Sequence, residues 1–141
     1  MDMEGEFQAL IDRHGGEIGP FQTLPASARR ALSHYMTVDG DNADFAKNLL
    51  FRYMLIPAED LKRLCWNAPM NEMRHEFADW ESYHEDYWSI EDDAHYRTHL
   101  ANMWPVILSE DEGVGDGWHR LHWYLRKGVT EIPAVHAVAI D

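Results

Sequence analysis

Hydrophobic and polar positions alternate along this chain with a period that changes from segment to segment. Residues 4–13 interleave acids with Phe7, Leu10 and Ile11, a spacing that predicts a short amphipathic helix. Gly15 and Gly16 end it. Residues 25–36 predict a second helix, with Ala28, Leu32 and Tyr35 on one side. Asp39 and Gly40 stop that helix, and a short helical turn is expected at 42–48. Residues 50–56, apolar apart from Arg52, predict a strand. Pro57 can open the next helix, with Glu59 and Asp60 favourably placed in its first turn. Asn67, Ala68 and Pro69 break the chain.

A long segment, 70–88, carries Phe77, Trp80, Tyr83, Tyr87 and Trp88 near helical spacing, which predicts one aromatic stripe. Ser89, with Asp92 three residues on, is the expected N-cap of a further helix running to about Met103. Residues 104–108 form an apolar run, residues 121–127 are helix-like, Gly128 stops them, and residues 132–135 predict another strand. Gly115, Asp116 and Gly117 lie between a strand and the start of a helix. Glycines there let backbone approach a ligand closely, and helix N-terminal N–H groups favour an anion. Arg120 in the first turn adds a forked donor for phosphate or carboxylate, and His119 a polar donor.

These elements predict an α+β fold, a small sheet surrounded by helices with strands near residues 53, 106 and 134. The chain reads as a single domain over 1–141 with a helical N-terminal extension over about 1–48. The glycine turn is expected to project from the sheet edge toward solvent. No repeat, low-complexity tract or linker divides the sequence.

Charge changes the functional picture. The chain has 141 residues, 25 acidic against 12 basic, for a net charge of −13. A polyanion is repelled by this surface unless a basic patch is present, so duplex DNA binding is not expected. Basic residues are scattered as Arg29-Arg30, Lys62-Arg63 and Arg126-Lys127. A basic protein partner is allowed, including one engaged by mimicry of a phosphate backbone; solubility alone is the commoner meaning of such charge. No apolar run is long enough for a membrane span and the acidic N-terminus is unlike a signal peptide. The single cysteine, Cys65, excludes an internal disulfide and points to a reducing, cytoplasmic setting.

The ordered pattern Trp104-Pro105-Val106-Ile107-Leu108, Gly113, Asp116-Gly117-Trp118-His119-Arg120-Leu121, Gly128, Ile132-Pro133-Ala134-Val135 resembles the ParB/sulfiredoxin-like superfamily. Arg52-Tyr53-Met54-Leu55-Ile56-Pro57-Ala58-Glu59-Asp60-Leu61 looks like that family's first strand and its "IP-x-x-x-L" helix start. The resemblance implies ATP or CTP, with magnesium, held at Gly115, Asp116, Gly117, His119 and Arg120. It also implies association with phages or plasmids in a regulatory, partition or transfer role. Trp118 stands where sulfiredoxins place a reactive cysteine, so sulfinic-acid reduction is not expected. Gly117-Trp118-His119-Arg120 replaces the Gly-Glu-Arg-Arg of chromosome-partitioning members, and the acid tied to CTP turnover is missing. No helix-turn-helix module is expected after the motif. At most a weak nucleotidase or nuclease is implied, with no complete catalytic set visible.

Other constellations carry less. His95 and His99 are four apart and His119 and His122 three apart; on spacing alone Glu91, Asp92 or Asp93 could complete a zinc set. The His-Glu-x-x-His pattern and cysteine pairs are absent, so ordinary histidines and no bound metal are expected. Eight carboxylates and no Lys or Arg fall between Glu76 and Asp93. That stretch is either a docking surface or a core-facing aromatic helix with its acids in water, and the helix is favoured. No serine lies in a nucleophile elbow, and Cys65 reads as a small buried residue. Two functions stand: a nucleotide or phosphate binder at the glycine turn, and a non-enzymatic acidic protein acting on a basic partner.

Overall fold

The computed structural model describes residues 3–38, 49–89 and 103–139. Its architecture is α+β, five α-helices on a four-stranded mixed sheet. The helices are α1 (Met3–His14), α2 (Ala26–Val38), α3 (Ala58–Asn67), α4 (Trp80–Ser89) and α5 (Trp118–Arg126). The strands are β1 (Leu49–Pro57), β2 (Val106–Ser109), β3 (Gly113–Asp116) and β4 (Glu131–Ala139), in the order β1-β4-β2-β3. β4 pairs antiparallel with β1, Tyr53 opposite Val135, and parallel with β2, Ile107 opposite Val135. β2 and β3 form an antiparallel hairpin with an irregularity between Ile107 and Leu108.

Strand alternation sorts side chains between two cores. Met54, Ile56, Val106, Leu108, Val114, Ile132 and Ala134 face one way, against Phe7, Leu10 and Ile11 of α1, Leu61 and Leu64 of α3, Trp80 and Tyr83 of α4, and Leu121 and Tyr124 of α5. Phe51, Ile107 and Val135 face the other way, against Leu24, Ala28 and Leu32. The sheet is thus a middle layer: among the described residues, α2 packs on one face and the other helices on the second. Side-chain ties hold α1 on α3: Asp60 Oδ2 lies 3.1 Å from His14 Nε2 and 3.4 Å from Arg13 Nη1.

Three expectations change. Residues 70–88 are not one helix. A short 3-10 turn, Met73–His75, comes first and α4 starts only at Trp80. Asn71 redirects the chain by donating to the Trp66 carbonyl (2.8 Å) while accepting from the Met73 N–H (3.0 Å). Asp79 then accepts the Ser82 N–H at 2.9 Å, a side-chain cap that fixes where α4 begins. Next, Pro57 ends β1 rather than opening α3, with an extended ψ of 135°. Finally, Gly115 and Asp116 belong to strand β3, and α5 begins at Trp118, three residues before the helix-like pattern. The expected turn at 42–48, the helix from Ser89 to about Met103, and His95, His99, Glu91, Asp92 and Asp93 lie outside the described residues.

Candidate functional site

Gly117 is the hinge between β3 and α5. Its φ of 96° is left-handed, a conformation that glycine adopts without the usual side-chain penalty. A Cβ there would lie 2.8 Å from Arg120 Nη1 and 3.2 Å from Val106 Cα. No side chain caps the helix that follows. The first turn of α5 therefore presents its N–H groups where the chain leaves the edge strand.

Arg120 points inward from this turn. The residue is 4% exposed. Nη1 donates to the carbonyl of Pro105, Nη2 stands 3.8 Å from Asp116 Oδ2, and the guanidinium lies 5.8 Å from the Trp104 ring centre. One side chain thus ties α5 to the lead-in of β2 and the end of β3. His119, the next residue back, faces α4, its ring edge-on to Tyr87 at 5.2 Å. One helical step of about 100° separates the two directions. The five residues singled out by sequence share one turn, but Arg120 and His119 diverge from it, and Gly115 is exposed on the edge strand. Trp118, at the position of the sulfiredoxin cysteine, donates its indole N–H to Tyr83 Oη at 2.6 Å.

A histidine–aromatic stack behind the turn was not legible from spacing. His122 is wholly buried, its Nδ1 2.6 Å from Nδ1 of His84 and its Nε2 3.3 Å from Tyr83 Oη. Its ring lies parallel to His84, Trp80 and Tyr87 at centroid separations of 4.9, 5.1 and 3.9 Å. Burial, then the neighbouring His84 and His119, push His122 down to about 2, so it is neutral at physiological pH. Burial also lowers His84. The Nδ1–Nδ1 contact then requires one ring to carry its proton on that nitrogen and the other on Nε2. No cluster of three or more His, Cys, Asp or Glu among the described residues is arranged to hold a metal ion. Cys65 is fully buried and its thiol is raised by desolvation, which suppresses the reactive thiolate.

Two neighbouring cations of α3 are paired with acids. Lys62 lies 2.8 Å from Glu59 and 3.1 Å from Glu81, and Arg63 lies 3.0 Å from Asp60. No helix among the described residues is long and apolar enough to cross a membrane. No family model matches the chain, and no curated protein or solved structure matches it.

Proposed function

We propose that this chain binds a phosphate-bearing ligand, a nucleotide such as ATP or CTP, at the N-terminus of α5. The observation that carries the reading is the left-handed, uncapped Gly117 at the start of that helix. Backbone N–H groups and the positive end of the helix dipole suit an anion there. His119 flanks the turn as a side-chain donor, Gly115 leaves the edge strand open, and Arg120 braces the loop from behind. Asp116, at the turn, suits a magnesium ion carried in with the phosphates. In support, the segments that resemble the ParB/sulfiredoxin-like superfamily come together at one sheet: residues 106–108 and 132–135 lie on the neighbouring strands β2 and β4, residues 116–121 lead from β3 into α5, and residues 52–57 pair with β4. Membership of that superfamily, a cytoplasmic location and a role on a mobile element belong to the same proposal.

Calorimetric titration with ATP, CTP and GTP, with and without magnesium, tests it. Saturable binding that Gly117→Val or His119→Ala weakens supports the turn. Binding untouched by both variants removes it.

A second reading rests on the acidic surface. Glu110, Asp111 and Glu112 are exposed at the β2–β3 hairpin, and the Asp111 carbonyl accepts the Met70 N–H at 2.9 Å, which brings Glu72 alongside. Met70, Met73 and Trp118 line a cavity of about 190 Å³ between these acids. Such a surface fits a Lys- or Arg-bearing protein partner. Salt-sensitive binding of a polylysine peptide that Glu72→Gln with Glu112→Gln abolishes is the expected result; binding indifferent to salt argues against it.

A further inference from the structure

Two adjacent arginines on α2, Arg29 and Arg30, are without acidic partners among the described residues. Both line an open pocket of about 490 Å³ together with Ala26, Ser33, Phe21 and Trp104. Residues 26, 29, 30 and 33 recur at helical spacing, so they form one face of α2. The first turn of that helix contains no acidic residue. Within a chain of net charge −13, this face is a local concentration of uncompensated positive charge.

The two aromatic lining residues are held in place. Phe21 packs edge-on to the buried Phe51 at 6.0 Å. Its short 3-10 turn is closed by the Thr23 hydroxyl, which donates to the Pro20 carbonyl at 2.6 Å. Trp104 has the Arg120 guanidinium against its ring, and its carbonyl accepts the Tyr124 hydroxyl at 2.5 Å. A pocket lined by two aromatic side chains and two arginines matches a ligand that carries a flat ring and a phosphate.

We infer that the pocket between α2 and Trp104 binds a mononucleotide, its base against Phe21 and Trp104 and its phosphate on Arg29 and Arg30. None of the lining residues belongs to the glycine turn, so this inference goes beyond the α5 reading and does not depend on it. A single nucleotide is favoured over a nucleic-acid strand because a chain of net charge −13 repels a long polyanion.

The test is titration of the whole chain with AMP, followed by tryptophan fluorescence, alongside adenosine, inorganic phosphate and a short oligothymidylate as probes. AMP is expected to saturate the signal, and adenosine and phosphate to bind more weakly than AMP. Arg29→Ala with Arg30→Ala should lower AMP affinity about tenfold or more. The paired lysine substitutions should recover part of it, because the charge stays and the planar fork is lost. Trp104→Leu should weaken AMP and adenosine but not phosphate. Circular dichroism checks that each variant folds, which the partly exposed positions of both arginines favour. Absence of AMP binding by the wild type, or wild-type affinity in the double alanine variant, overturns the inference. So does an oligothymidylate that binds more tightly than AMP at physiological salt. Loss of AMP binding in Gly117→Val alone, with the arginine variants unaffected, assigns the ligand to the α5 turn instead. Loss in the arginine variants alone assigns it to α2, and the α5 proposal stands or falls on its own titration with ATP and CTP.

Discussion

The Arg120 guanidinium donates to the carbonyl oxygen of Pro105, joining the first turn of α5 to the residue that leads into β2. Arginine in that sequence position suggests a solvent-facing phosphate clamp. Here the side chain is buried under the loop it supports. Its role at the turn is therefore one of positioning.

Arg120→Ala should destabilise the fold by roughly 2–3 kcal/mol, the scale of a hydrogen bond to a charged group left unmade. Lysine should rescue little, because it lacks the fork that reaches both Pro105 and Asp116. Urea denaturation measures both. A variant as stable as wild type would show that the buried contact contributes nothing.

Gly117→Ala and Gly128→Ala form a matched pair. Both glycines have positive φ, 96° and 78°. Gly128 has nothing within 4 Å of an added Cβ, whereas Gly117 has Arg120 and Val106. Gly128→Ala should cost only the left-handed penalty, about 1–2 kcal/mol. Gly117→Ala should cost more and should disturb Arg120 as well. Equal losses in the two variants would mean that the close approach relaxes freely.

His122 links stability to pH. Its folded pKa is lowered to about 2, below the ordinary 6.5 of an unfolded histidine. Between those values the unfolded chain holds a proton that the folded chain refuses. Its contribution is therefore complete above pH 6.5 and declines as pH falls, by roughly 1.4 kcal/mol per pH unit. His84 shifts in the same direction. Denaturation midpoints from pH 7.5 to 5 should fall, and His122→Phe should flatten that fall. An unchanged slope in the variant would assign the acid sensitivity to other groups.

Asn71→Ala should cost about 2 kcal/mol, since it leaves the Trp66 carbonyl and the Met73 N–H without the side chain that serves both. Thermal denaturation followed by far-UV circular dichroism checks this. The same position explains why the helical spacing of residues 70–88 misleads: the aromatic rings do reach the core, but from a turn and then a shorter helix.

Cys65 should resist thiol reagents in the native chain and react once the chain is unfolded in urea. Burial and a raised thiol pKa act together. Rapid native-state labelling at neutral pH would contradict both.

Several features were fixed by local sequence. Period and punctuation marked α1, α2, β1 and β4, because those segments bury one face and are bounded by Gly or Pro, and such signals survive without knowledge of partners. The special conformation of Gly117 was legible for the same reason: a glycine between a strand and a helix is a local backbone requirement. Tertiary structure decided the rest. Gly115 and Asp116 became an edge strand because β2 offered unpaired backbone groups to them. Asn71 and Asp79 broke a helical pattern through hydrogen bonds that hydrophobic spacing does not encode. The direction of Arg120 depended on a carbonyl 15 residues away, and the His84–His122 contact on residues 38 apart. Arg29 and Arg30 were visible as a basic pair, but only packing revealed that no carboxylate among the described residues reaches them and that Trp104, some 70 residues on, lines the same pocket. Sequence thus determined which backbone states were available; long-range packing determined where each polar side chain found its partner.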